Sequence, residues 1–266
     1  MNTVKKAWIN GLFFIATLGV NTLGAMGLIY GFSQKQISDM YTTMITPSPS
    51  TFSIWSVIYL LLLTSLVVMI VKNRDPYYQR AVNETSGLFR ISCILNMAWI
   101  VAFSYLQIEI SSLLILGFAI VLAIICIRLR KIQDRNRFLL PLTFGLYTGW
   151  LFIATVVNVA VTLVKLKWDG FGLSQDTWAI IILMISVVLV FIVLEKISNA
   201  AFPIPVAWAY YGIYKYLNAP EGFKGEFILV QNIALGGMVL LIIIAAFKFY
   251  KNGFAMFPRK LENNFK

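Results

Sequence analysis

The sequence predicts an all-α fold: a polytopic integral membrane helical bundle with about eight transmembrane helices. Three observations predict it. Of 266 residues, 59% are hydrophobic and 12% charged, about half the charge of a soluble domain, and the mean hydropathy is +0.80. Apolar runs near the ~20 residues that span a bilayer recur along the whole chain. The Lys and Arg residues behind the net charge of +11 flank those runs. In a soluble chain that excess would point to nucleic acid. Here positive-inside anchoring accounts for it, so the expected partner is the lipid bilayer and no nucleic acid.

The first segment, Trp8–Tyr30, follows Lys5 and Lys6 as a signal peptide would, but it is long for one and no small-x-small site follows. It reads as a retained helix. The second, Thr51–Val71, comes after Pro47 and Pro49 in a Ser/Thr-rich run. Proline tolerates the lead-in to a helix and not its interior, which puts the helix start near Ser50 or Thr51. Phe52, Trp55 and Tyr59 then share one face at i, i+3 and i+7. They form either an interfacial aromatic belt or a pocket wall under a proline-stiffened lid, Ser33–Ser50. The remaining segments are Phe89–Tyr105, Ser112–Ile127, Phe138–Val164, Trp178–Leu194, Asn199–Leu217 and Phe227–Phe249, the fourth and sixth spans being short. Gly27–Gly31 and Gly145–Gly149 are GxxxG pairs, read as close helix contacts. PIPVAWAYYGIY, from Pro203, echoes PSPSTFSIWSVIY, from Pro47, without amounting to a repeat.

Most of the 22 Lys and Arg fall on the side that holds both termini, notably in Arg128–Arg137 and from Lys248 onward. The positive-inside rule makes that side cytoplasmic. At ~1.5 Å per residue, Trp55 lies about one turn below the outer surface, and Asn96 and Trp99 roughly two to three turns. Asn21, Asn158, Gln231 and Asn232 also fall in the outer half, with Trp150 near the middle. Either these amides bond helix to helix, or they line a polar and aromatic cavity open to the outside. The chain has no histidine, which removes the usual metal and haem ligand and the commonest general base. Cys93 and Cys126 lie inside apolar runs as packing residues, so neither a metal site, a disulfide nor a cofactor is expected. Arg90, Lys165, Glu195, Lys196, Lys215 and Lys248 all read as near span ends. A centre free of charge argues against ion-coupled pumping.

Pro47 stands eight residues before Trp55, and LNMAWIVAFSYLQ (Leu95–Gln107) and LYTGWLFIATVVN (Leu146–Asn158) follow in the third and fifth segments. Together they resemble the tryptophan-rich sensory proteins, the TspO/MBR or translocator-protein family. The match takes in a proline-bearing first loop, a helix-two Trp, and a third helix with Asn and Trp. In the fifth helix Trp150, Ala154 and Asn158 share a face at i, i+4 and i+8. Two departures stand out: the loop's usual double proline reads Thr46–Pro47, and the Pro-Tyr of the fifth helix reads Leu146–Tyr147. The three helices after Asp169 have no counterpart in short members.

The resemblance implies a TspO-like five-helix ligand-binding bundle over residues 1–168 and a three-helix membrane extension over 169–266. It also implies a pocket under the first loop for tetrapyrroles, sterols or aromatic ligands. The residues it nominates are Pro47, Trp55, Asn96, Trp99, Trp150, Ala154 and Asn158, and the candidate ligand-binding set also takes in Asn21, Phe52, Tyr59, Phe103 and Tyr147. The expected function is a receptor or sensor for a planar hydrophobic molecule, with porphyrin as ligand and not as cofactor. The expected location is a bacterial plasma membrane, and a homodimer is allowed. The alternatives are a carrier of such a ligand, or a light-dependent porphyrin-degrading enzyme in which Trp55, Trp99 or Trp150 takes part.

Overall fold

The computed structural model describes residues 2–134 and 137–258; Arg135, Arg259, Lys260 and Lys266, which count toward the positive charge, lie outside them. Regular structure among the described residues is helical. In chain order the helices are α1 (Thr3–Ala25), α2 (Gln34–Met40), α3 (Ile54–Val71), α4 (Pro76–Ser104), α5 (Ile108–Lys131), α6 (Leu139–Lys165), α7 (Gln175–Ile197), α8 (Pro203–Asn218) and α9 (Ile228–Lys251). Short 3-10 turns occupy Pro49–Ser53 and Gly170–Gly172. Among the described residues seven helices are long and apolar enough to cross a membrane, and the chain is an integral membrane protein of the predicted class. The eighth, α8, has 16 residues and is about 24 Å long, short of a full span.

Three boundaries differ from expectation for identifiable reasons, those of α1, α4 and α8. α1 stops at Ala25 and not at Tyr30, because Gly27 takes φ +71° and turns the chain toward α2. Gly27 and Gly31 therefore shape a turn and make no helix contact. α4 begins more than three turns before Phe89, with Asp75 as its N-cap and Pro76 in its first turn. Exposed Asn83 and Glu84 hide this extension from hydropathy. Tyr77, Tyr78, Ala81, Val82, Thr85 and Ser86 give it away, buried at helical spacing. Arg90 thus stands midway along α4, and not near an end. Its Nε donates to the Ser86 carbonyl at 3.0 Å, one turn toward the helix start, as a cation leaning toward water does.

The second GxxxG pair makes a close contact, chiefly with the turn before α8 and not with another helix. A Cβ on Gly145 would lie 2.4 Å from Asn199 Oδ1, and one on Gly149 2.0 Å from the Phe202 carbonyl oxygen. The turn after α7 therefore enters the bundle along the first turns of α6. There the Asn199 amide donates to the Pro141 carbonyl at 2.8 Å and accepts from the Ala201 N–H at 2.9 Å. Residues 199–202 belong to this turn and not to a span. α8 starts inside the bundle, and the chain after α9 folds under it. Asn252 donates to the Ser198 carbonyl at 3.0 Å, the Ala200 N–H donates to the Met256 carbonyl at 2.9 Å, and Phe257 is buried.

Candidate ligand cavity

α3, α4 and α6 each bring a tryptophan to the end of the bundle where the 33–53 loop lies. The Trp55 and Trp99 rings are near parallel, with centroids 6.5 Å apart, and Trp150 meets Trp55 edge-on at 6.2 Å. Phe52 meets Trp150 edge-on at 5.8 Å. Such edge and offset geometries suit the ring quadrupoles. These rings wall a cavity of about 340 Å³ whose lining is mostly apolar. Along α6 the wall continues through Ile153, Ala154, Val157, Asn158 and Val161, one helical face.

The roof is the loop, as expected, but part of it is a helix. Ser33 and Gln36 form a reciprocal capping box that starts α2. Ile37 plugs α2 down onto Phe103, Ile108 and Val161. Lys35 and Asp39, an exposed ion pair one turn apart, sit on the rim. The Asp39 hydrogen bond and charge raise the Lys35 pKa, so Lys35 is a cation at neutral pH. Pro47, Pro49 and Phe52 complete the roof.

Eight of the expected residues line the cavity: Pro47, Phe52, Trp55, Trp99, Phe103, Trp150, Ala154 and Asn158. The other four lie one layer deeper. Asn21 donates to Asn96 Oδ1 at 2.7 Å, and Asn96 donates to the Tyr147 hydroxyl at 3.4 Å. Tyr59 stacks under Trp55 at 5.1 Å, and Tyr147 meets Trp55 edge-on at 6.1 Å. This polar layer supports the tryptophans and does not reach the cavity. Asn158 steadies the cavity wall: its Oδ1 accepts from Trp99 Nε1 and from Ser111 Oγ, both at 3.4 Å. Gln231 and Asn232, set at the same depth by the sequence, stand in the first turn of α9 and line no part of it.

A proline-bearing lid over tryptophans from these three helices is the arrangement that the sequence resemblance implies. A family model, TSPO-like protein, matches residues 7–247. The chain belongs to the TSPO-like family. The match runs through α7 and α8 into α9, beyond the five segments that carry the motifs. Neither a curated protein nor a solved structure matches the chain.

Several lining residues of this TSPO-like protein were not expected. Gln34, Lys35, Ser38 and Asp39 come from α2, whose Ser33-x-x-Gln36 capping box is a readable signal. Ala25 ends α1. Ala209 and Tyr216 come from α8, where the only hint was the echo between the Pro47 and Pro203 stretches. Among the described residues no cluster of His, Cys, Asp or Glu could hold a metal ion.

Proposed function

We propose that this TSPO-like protein is a membrane receptor that binds a planar hydrophobic molecule of the tetrapyrrole class in the cavity under the lid. The observation that carries it is the convergence of Trp55, Trp99, Trp150 and Phe52 on one cavity. Flat aromatic faces reward a flat partner, and the few polar groups at the rim, Gln34, Lys35 and Asp39, favour a ligand with a polar edge. At about 340 Å³ the cavity lies at the small end of the ~300–1,000 Å³ usual for small-molecule sites. A substituted macrocycle is large for a site of that size and would need the roof to lift. We place the cavity on the outer side of a bacterial plasma membrane, with both termini cytoplasmic, because Arg128, Arg130 and Lys131 close the opposite end.

Tryptophan fluorescence in detergent tests the reading. Protoporphyrin IX added to the purified protein should quench emission, and replacing Trp55, Trp99 and Trp150 together by Phe should remove most of the quenching. Trp178 lines no part of the cavity and donates to the Gly170 carbonyl at 2.7 Å, so Trp178→Phe should leave the quenching intact. Quenching that survives the triple replacement would place the ligand elsewhere.

A further inference from the structure

The strip Pro47–Phe52 has two faces with different tasks. Pro47, Pro49 and Phe52 turn to the cavity. Ser48, Ser50 and Thr51, between them, turn to α8. The Ser48 N–H donates to the Gly212 carbonyl at 2.9 Å. Trp208 Nε1 donates to the Thr51 carbonyl at 2.8 Å, and Lys215 Nζ to Ser50 Oγ at 3.2 Å. Trp208, Gly212 and Lys215 stand at i, i+4 and i+7, one face of α8. Ala209 and Tyr216, next to that face, enter the cavity wall.

Gly212 makes the approach possible. A Cβ there would lie 2.0 Å from Thr51 Oγ1 and 2.7 Å from Thr51 Cγ2, so any larger residue pushes the strip away. The other part of the roof is held differently. α2 rests on the single buried side chain of Ile37 and has no such set of bonds to α8. One half of the roof is fastened and the other rests on a plug.

We propose that α8 is the latch of this cavity: it fastens the Pro47–Phe52 strip, and so sets the size of ligand that the site admits. Gly212 and Trp208 are positioning residues that act through the strip, while Ala209 and Tyr216 bound the space directly. The size-selecting part rests on the binding reading above; the fastening does not.

Two measurements separate these parts. The first needs no ligand. Cys93 and Cys126 are buried, so a cysteine introduced by Ala154→Cys in the cavity wall reports access through its maleimide labelling rate. In that background Trp208→Phe keeps an aromatic ring, though a smaller one, and removes the donor to Thr51, and Gly212→Ala displaces the strip without lowering helix propensity. Each should speed labelling roughly fivefold, the weight of one neutral hydrogen bond. Trp208→Phe decides the matter if Gly212→Ala does not fold. Unchanged labelling overturns the latch. The second measurement compares affinity for acridine, with three rings, and protoporphyrin IX. The same variants should shift the ratio toward the porphyrin by a similar factor. Faster labelling with an unchanged ratio overturns size selection and leaves the fastening. Faster labelling with no binding of either probe to wild type or variants overturns the proposed function, and selection with it.

Discussion

Asn96 is fully buried one layer beneath the cavity, where it accepts from Asn21 and donates to Tyr147. Asn96→Ala takes the donor from the Tyr147 hydroxyl and leaves Asn21 with the Thr17 carbonyl alone, in a low-dielectric interior, a cost of about 1–3 kcal/mol. The expected outcome is a lowered thermal midpoint in detergent with porphyrin affinity little changed. Trp150→Ala should do the reverse to affinity. It removes one aromatic contact worth ~0.5–1.5 kcal/mol beyond area, so binding weakens several-fold, and Trp150→Phe weakens it less. Equal affinity losses in the Asn96 and Trp150 variants would contradict the two-layer arrangement. At the opposite end Asp75 accepts from the Tyr77 N–H at 2.9 Å and pairs with Arg137 at 2.6 Å. Burial raises the Asp75 pKa, but the Tyr77 amide and the Arg137 guanidinium outweigh it and hold the carboxyl below its usual value. A carboxyl depressed on folding stabilises fully above its unfolded pKa and loses that contribution as pH falls through the folded one. Asp75→Asn should lower stability at neutral pH and flatten the acid limb; a limb as steep as wild type would refute the linkage.

Among the elements, α6 is the post on which both halves of the chain lean. It supplies Trp150, Ala154 and Asn158 to the cavity, and its Gly145 and Gly149 seat the turn before α8. Gly149→Ala forces a methyl against the Phe202 carbonyl, and overpacking of that kind costs typically ~1–3 kcal/mol. A lower denaturation midpoint should follow, along with altered cavity access, since α8 would shift with its seat. α2 is the contrasting case, a short helix docked by one side chain. Ile37→Ala removes that plug, and hydrogen exchange should rise across residues 34–40 while α4 and α6 keep their protection. If exchange stays slow there, something other than Ile37 holds the roof.

For the whole molecule, the two ends differ in charge and in task. The lid end carries the cavity, and the other carries Arg128, Arg130, Lys131, the start of α1 and the end of α9. With Lys35 and Lys131 exposed and the native cysteines buried, single cysteines at these two positions report orientation. In intact cells an impermeant thiol reagent should label Lys35→Cys at once and Lys131→Cys only after lysis. The opposite pattern would invert the topology and face the cavity to the cytoplasm.

Much of this is legible in one dimension because membrane insertion depends on local sums. Transfer of a stretch into lipid depends on that stretch's own composition, so the apolar segments of α1, α3, α5, α6, α7 and α9 stand out in the sequence. The face that carries Trp150, Ala154 and Asn158 is equally local, since helix periodicity alone aligns those residues. The start of α4 was hidden where burial by neighbours, and not hydropathy, keeps a polar stretch helical. The contribution of α8 to the cavity left no trace in the sequence beyond the echo between the Pro47 and Pro203 stretches. It depends on Trp208 meeting Thr51 across 157 residues, and on the absence of a single Cβ at Gly212. Composition and periodicity are properties of a segment. A close fit between distant segments is a property of the folded bundle, and only the tertiary structure decided that α8 packs on the Pro47–Phe52 strip and helps to wall the cavity.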